Sequence, residues 1–161
     1  MKKKHKYNSS VIWTGNKGKG TLNYEAYDRS HSILLDGKPE ISCSADPEFK
    51  GDKTKYNPEE LLLSSLSSCH MLWYLHLCAE SKIVITEYID KPTGTLLENI
   101  DGSGHFTEVI LNPRVVVAKN SMIEKASELH KKANELCFIA NSVKFEVFHH
   151  CECSSEENKI L

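Results

Sequence analysis

Cysteines are the side chains in this sequence that are best suited to covalent chemistry. There are six, and two of them, Cys69 and Cys137, lie among apolar residues in stretches with helical periodicity. A free cysteine in such a place is most often a small buried hydrophobic residue. The alternative is a redox pair, in which one thiolate attacks an O–O bond, becomes a sulfenic acid and is trapped by the second thiol. The pattern alone leaves both interpretations open.

Redox chemistry at Cys69 requires a nearby positive charge. The thiolate is the reactive form, and a cysteine in the middle of a helix gains little from the helix dipole, so an Arg or Lys must help. The arginines are Arg29, in a predicted strand, and Arg114, which follows a proline and is expected on a sheet surface or paired with an acid. Arg29 is either a functional cation or a solvated strand residue, and the residues alone leave both interpretations open. Lys50 and Lys53 are further cations but lack the planar fork that Arg offers to a carboxylate.

The stretch from Asn57 to Ala79 is predicted to be the helix that carries Cys69. Asn57 can accept a hydrogen bond from an orphan amide, Pro58 suits the first helical position, and two glutamates follow where the helix dipole favours negative charge. Serines just before Cys69 leave room for a second backbone or a small ligand. A helix this apolar is expected inside the protein, with a stripe formed by Leu62, Leu66, Cys69, Leu72, Trp73 and His76.

Strands and a second helix are predicted around this central helix. The second helix opens at Asn120 or Ser121, with Ser121 and Glu124 at capping-box spacing, and ends near Cys137. Strands in hairpin succession with two helical interruptions indicate an α+β fold with antiparallel sheets. The predicted strands are 8–14, 20–27, 30–36 and 39–43, two between residues 82 and 100, one within 101–119 broken at Pro113, and a last one with Val143, Phe145 and Val147.

The chain length of 161 residues predicts a single domain over 1–161, with a frayed segment at 1–10 and a polar tail at 149–161. A net charge of −2 provides no electrostatic reason to expect nucleic acid. No uninterrupted apolar run approaches the roughly 18 to 20 residues of a membrane span. The basic opening is followed by too short an apolar run for a signal peptide, so we expect a cytoplasmic protein with free thiols, redox pairs or metal ligands instead of a disulfide framework.

Two short motifs resemble a known family. NPEELL followed by SSC in the central helix, and AxELC near the end of the second helix, are similar to the OsmC and Ohr family of osmotically inducible and organic hydroperoxide resistance proteins. The resemblance covers about Trp13 to Val147. It implies an OsmC-like α+β fold of two intertwined subunits, with two long central helices packed between sheets. It also implies a homodimeric thiol-dependent peroxidase that prefers organic hydroperoxides, takes electrons from a dithiol reductant and uses no cofactor.

The resemblance also implies roles for particular residues. Cys69 corresponds to the peroxidatic thiol, Cys137 to the resolving thiol, and Glu59 to the carboxylate that orients an activating arginine. The OsmC-type arginine, which precedes a Phe in the loop before NPEE, is replaced here by Glu48. Ohr-type members place their arginine in the N-terminal β region, which makes Arg29 the substitute. Ten helical residues advance about 15 Å and turn through about 1000°, so a site shared by Glu59 and Cys69 needs a loop or a partner subunit.

Several histidines leave a second hypothesis open. His70 and His130 add polarity to two apolar helices, either as satisfied structural residues or as donors to a metal or a substrate. The segment HHCEC, His149 to Cys153, has soft ligands that could bind a transition metal, or it is an incidental exposed tail. The leading prediction is a peroxidase without a metal. The alternatives are a small-molecule or metal-binding protein of the same fold without peroxidase turnover, and a structural dimer without chemistry.

Overall fold

The computed structural model describes residues 3–160, with side chains described for residues 3–158. The chain divides into two compact units, one ending at Leu62 and one beginning at Leu63. The expectation of a single domain remains a prediction. Residues 3–9 are exposed and have no regular secondary structure.

The first unit contains a three-stranded antiparallel sheet in the order β1-β2-β3, formed by Ser10–Trp13, His31–Leu34 and Ile41–Cys43. A 3-10 helix, Pro47–Phe49, follows. The strand predicted over 20–27 is wrong, since this segment forms turns. The Asn16 side chain accepts hydrogen bonds from the amides of Gly18 and Gly20, at 2.8 and 3.0 Å, and these local bonds replace a strand ladder.

Helix α1, Pro58–Glu80, matches the predicted central helix. The Asn57 side chain accepts a hydrogen bond from the Glu60 amide at 2.7 Å, and the Glu60 carboxylate accepts one from the Asn57 amide at 3.1 Å. This reciprocal pair is a capping box, so the predicted cap is confirmed. The buried residues of helix α1 lie one turn apart, and they are Leu66, His70, Tyr74 and Cys78. Leu72 of the predicted stripe is instead 63% exposed.

Helix α1 is also long and apolar enough to cross a membrane by length and composition, with 22% of its apolar window buried. Core helices of soluble proteins satisfy the same criterion, so this is weak evidence for a span. The cap at Asn57 and the buried His70 are compatible with a core helix.

The second unit contains two three-stranded sheets and helix α2, Ile123–Leu136. The predicted antiparallel pairs are confirmed. In addition, Glu146–His149 pairs in parallel with Gly104–Leu111, and Glu152–Ser155 pairs in parallel with Pro113–Val117. The chain passes through α2 between these strands, which allows parallel pairing. The sheets have the orders β4-β7-β9 and β5-β6-β8, with β4 at Ile85–Asp90, β5 at Thr93–Glu98, β6 at Gly104–Leu111, β7 at Pro113–Val117, β8 at Glu146–His149 and β9 at Glu152–Ser155.

The second unit differs from the predictions at the start of α2 and in the C-terminal segment. The capping box at Ser121 is wrong, because a 3-10 turn, Asn120–Met122, precedes α2 and no side chain caps the helix. The Asn120 amide instead donates to the Glu157 carboxylate at 2.7 Å. Residues expected to form a polar tail include β9 and a 3-10 helix, Glu156–Ile160. The pairing of β9 with β7 explains why this segment is ordered.

The core of the second unit lies where α1 and α2 pack on the β4-β7-β9 sheet. Small residues of α2 are fully buried there, so its backbone approaches closely. The core residues are Tyr74, Cys78, Ile83, Val115, Val117, Ala126, Leu129 and Ala133. Cys43 of the first unit and Cys78 are both fully buried, which confirms their prediction as packing residues.

The capping box provides a test of the fold. Replacing Asn57→Ala removes the acceptor for the Glu60 amide, and we expect the free energy of unfolding to fall by about 1 to 2 kcal/mol. Urea denaturation followed by circular dichroism measures the change. Asn57→Asp keeps the acceptor and is the matched control. Equal stability of the Ala and Asp variants would show that the cap does not stabilise α1.

Candidate active site

Cys69 lies in an apolar groove of the second unit. The thiol is half-buried near the middle of α1, and the groove has a volume of about 470 Å³. Ser65 and Ser68, one turn and one residue before Cys69, are small enough to leave its thiol open to this space. The remaining lining residues are Leu72, Trp73, His76, Phe138 and Ile139. A small organic molecule can therefore reach Cys69.

Two aromatic rings form the wall of this groove. Trp73 and Phe138 meet edge to face, with ring centroids 5.6 Å apart and planes at 89°. His76 lies against Trp73 with centroids 5.8 Å apart. Ile139 was not found from the sequence, because it follows the end of α2 and belongs to no periodic pattern. Leu66 of the predicted apolar stripe does not line the groove.

Cys137 is the buried partner of Cys69. It caps the C-terminus of α2, and the Cys69 thiol lies close enough to influence its pKa. Burial, reinforced by the Cys69 thiol, raises the pKa of Cys137 to about 11. The Ala140 amide donates to the Cys137 sulfur at 3.4 Å and acts in the opposite direction. Cys137 is therefore a protonated thiol at neutral pH, while Cys69 is the one that faces the groove.

Arg29 and Glu59 line a different cavity, within the first unit. It has a volume of about 390 Å³ and includes aromatic residues from three segments, Trp13, Tyr27 and Phe49. In the described part of the chain, Glu59 and Arg29 do not form an ion pair with each other. The structure thus places the two predicted residues at one cavity without the expected pairing.

Two tyrosines hold the Arg29 guanidinium. It donates to the main-chain oxygens of Tyr27 and Tyr24 at 2.7 and 2.8 Å. Its carbon atom lies 3.9 Å from the Tyr24 ring centroid and 4.6 Å from the Tyr27 centroid, within the range of cation–π attraction. Arg29 follows a turn region instead of lying in a strand, so it is not a solvated strand residue. The flanking tyrosines were the only sequence signal for this clamp.

Other cations have partners of their own. The Lys50 ammonium pairs with the Glu25 carboxylate, and its nitrogen lies 5.3 Å from the Tyr24 ring centroid. Arg114 pairs with Glu152 at 3.1 Å on an exposed sheet surface, as predicted. Arg29 therefore stays the candidate for a functional cation.

His70 and His130 form a buried pair in the second unit. The Nε2 atom of His70 lies 3.0 Å from the Nδ1 atom of His130. Burial lowers the pKa of His70 to about 4, and burial together with His70 lowers that of His130 to about 3. Both rings are therefore neutral at physiological pH. The hypothesis of structural histidines fits this arrangement.

The metal hypothesis finds no support in the described part of the chain. Among residues 3–160, no group of three or more His, Cys, Asp or Glu side chains is placed to hold a metal ion. The segment HHCEC instead joins β8 to β9, with the His150 amide donating to the Leu111 oxygen at 2.8 Å. Burial raises the pKa of Cys151 to about 12, which makes its thiol unreactive at neutral pH.

The sequence and the fold are both similar to known proteins. A family described as OsmC-like protein matches residues 51–152. An OsmC-like protein of unknown function from Vibrio cholerae is 31% identical, with a TM-score of 0.83 over 92% of this chain and 99% of that chain. No protein with a curated description matches the chain.

Two organic hydroperoxide resistance proteins share the fold at lower identity. The one from Elizabethkingia anophelis is 18% identical, with a TM-score of 0.70 over 97% of this chain and 100% of that chain. The one from Legionella pneumophila is 17% identical, with a TM-score of 0.67 over 96% of this chain and 98% of that chain. These matches confirm the family resemblance indicated by the motifs.

The histidine pair predicts that stability falls in mild acid. Both pKa values are lower in the folded protein than the ordinary 6.5, so the unfolded chain binds protons first as pH falls. Stability is complete above about pH 6.5 and is lost as pH falls towards 4. Each pKa unit corresponds to about 1.4 kcal/mol, and His149, whose pKa is also lowered by burial, acts in the same direction.

Urea denaturation at a series of pH values measures this loss. We expect His130→Phe to make the dependence on pH between 6.5 and 4 shallower. His76→Asn, which changes an exposed histidine of α1, is the control and should leave the slope unchanged. An identical slope in His130→Phe and the unmodified protein would contradict the prediction.

Proposed function

The chain belongs to the OsmC-like family, and we propose that it works as a thiol-dependent peroxidase that reduces organic hydroperoxides to alcohols. The observation that carries the proposal is the proximity of Cys69 to Cys137 at an apolar groove, which Cys69 lines together with Phe138 and Ile139, the residues after Cys137. Two structural relatives are named organic hydroperoxide resistance proteins, which supports a redox role.

The proposed reaction has two steps on the protein. The Cys69 thiolate attacks the terminal peroxide oxygen, the O–O bond breaks, and the alkoxide takes a proton and leaves as the alcohol. Cys69 is then a sulfenic acid. The Cys137 sulfur attacks the Cys69 sulfur, its proton and the hydroxyl group leave as water, and a disulfide forms. A dithiol reductant then reduces the disulfide to the two thiols by thiol–disulfide exchange. We propose that the protein works in the cytoplasm.

The groove supports a preference for organic peroxides. Leu72, Trp73 and Phe138 present apolar surface beside Cys69. An alkyl or aryl group bound there is removed from water, which stabilises the complex by about 25 cal/mol per Å² of apolar area. Hydrogen peroxide has no such group, so we propose that it is reduced less well.

We propose that a second copy of the chain supplies the cation. Glu59 and Cys69 are ten residues apart on α1, which corresponds to about 15 Å along the helix. A single straight helix therefore cannot bring both side chains to one peroxide. In a homodimer, the cavity with Arg29 and Glu59 from one copy could complete the groove with Cys69 from the other.

One observation favours the alternative, a small-molecule binding protein of this fold without turnover. Arg29 is held by the main-chain oxygens of Tyr24 and Tyr27 instead of being free to pair with a thiolate. The two functions differ in whether an organic hydroperoxide is consumed beyond one equivalent per chain when a dithiol is present.

Turnover and disulfide mapping test the proposed function. Reduced protein treated with one equivalent of cumene hydroperoxide should form a disulfide between Cys69 and Cys137, seen by peptide mass spectrometry, and should turn over with dithiothreitol. Cys69→Ser should abolish consumption, and Cys137→Ser should stop at the sulfenic acid. Cys151→Ser changes a thiol outside the groove and should behave like the unmodified protein. Thiols that stay reduced would disprove the peroxidase.

The role of Arg29 has a separate test. Because a guanidinium stabilises the Cys69 thiolate, we expect Arg29→Ala to lower kcat/KM for cumene hydroperoxide by about 10- to 1000-fold. Iodoacetamide labelling of Cys69 at neutral pH should be slower in this variant, since the thiolate is the reactive form. Arg114→Ala removes an exposed arginine and is the control. Unchanged kinetics in Arg29→Ala would remove Arg29 from the mechanism.

A further inference from the structure

Each of the two buried histidines lies close along the chain to one of the two thiols. His70 directly follows Cys69 in α1, and His130 lies seven residues before Cys137 in α2. Their side chains are 0% and 1% exposed, and a ring nitrogen of one lies 3.0 Å from a ring nitrogen of the other. This bond therefore links the part of α1 that carries Cys69 to α2.

The bond has a specific geometry that an apolar contact would lack. In a neutral pair, one ring donates a proton and the other accepts it. In either tautomer, the outer nitrogens, His70 Nδ1 and His130 Nε2, remain buried without a partner in the described part of the chain. Two apolar side chains of similar shape would fill this space without that cost. The pair thus contributes orientation more than stability.

Neighbouring rings prevent the two histidines from turning. The Tyr74 ring stacks on His130 with centroids 3.8 Å apart and planes at 10°. The planes of the His70 and His130 rings are nearly parallel, at 4°. The centroid of the His149 ring lies 5.7 Å from that of the His70 ring. Because the rings are confined, the hydrogen bond sets both the rotation of α1 and the position of α2 along its axis.

We propose that the bond between His70 and His130 positions the Cys137 sulfur for attack on oxidised Cys69. The inference rests on the proposed function. A rotation of α1 that broke the bond would also turn Cys69, which is on the same helical turn, and a shift of α2 would move Cys137 equally. A disulfide requires Cβ atoms about 3.8 Å apart, so a small displacement slows its formation strongly.

The first chemical step does not share this requirement. Formation of the sulfenic acid needs the Cys69 thiolate, the cation proposed to stabilise it and a peroxide in the groove, but it does not involve Cys137. Formation of the disulfide needs both thiols in register. His70 and His130 do not line the groove. They are positioning residues, and their loss should slow the second step while leaving the first unchanged.

Two variants of His130 separate the hydrogen bond from the space that the ring fills. His130→Phe keeps the ring and its stack on Tyr74 but removes the bond. His130→Asn places an amide nitrogen near the position of Nδ1, so it can restore the bond to His70. The rate of sulfenic acid formation is measured by dimedone labelling, and that of disulfide formation by quenched mass spectrometry, with cumene hydroperoxide in both cases.

We expect His130→Phe to form the sulfenic acid at the rate of the unmodified protein and the disulfide at least about tenfold more slowly. His130→Asn should recover most of the lost rate. Should His130→Phe fail to fold, His70→Gln, which places an amide nitrogen near the Nε2 position, provides a second test, since it should keep the unmodified rate.

Three results would overturn the inference. Disulfide formation at the unmodified rate in His130→Phe would show that the bond positions nothing. Equal slowing in His130→Phe and His130→Asn, or slowing in His70→Gln, would show that the rings matter only as packing. A disulfide absent from the unmodified protein would instead disprove the proposed function itself, and the inference with it.

Discussion

The packing of α2 against α1 is the constraint on which the candidate site depends. The two thiols come from different helices, so they stay close together only while the helices keep one relative position. Ala126 and Ala133 allow α2 to approach closely, and Tyr74 fills the space between the helices and the sheet. These contacts are non-directional and can slide, whereas the histidine bond cannot. Packing thus brings the helices together, and a polar contact determines their register.

Burial distinguishes the two cysteines chemically. Cys69 is half-buried and faces the groove, so a peroxide can reach it. Cys137 is 1% exposed and has a raised pKa, so it is a poor nucleophile at neutral pH. The same pair of residues therefore supports an ordered reaction.

Local signals in the sequence predicted the features that depend on neighbours along the chain. The cap at Asn57 and the start of α1 at Pro58 follow from short-range chemistry. The segment 20–27 was missed because the side-chain acceptor of Asn16 outcompetes strand pairing, a choice that alternating residues do not reveal.

Features that join distant segments were beyond sequence reasoning. His70 and His130 were recognised as unusual polarity on apolar helices, but their partnership spans 60 residues and follows only from the packing of α2. The parallel pairing of β9 with β7 has the same origin. The motifs identified Cys69 and Cys137 through family resemblance, whereas the proximity of the two thiols and the clamp on Arg29 follow only from the folded structure.

The groove itself provides a physical argument for the homodimer that we propose. Leu72 and Phe138, on either side of Cys69, are 63% and 66% exposed in a single chain. Apolar surface concentrated around a reactive thiol marks a binding or interaction site. A peroxide bound in an open groove would keep most of its contact with water, and a thiolate there would lie in a high dielectric, where a cation acts weakly. A second copy that covers the groove would exclude water, strengthen the attraction between an arginine and the thiolate, and enclose the organic part of the substrate.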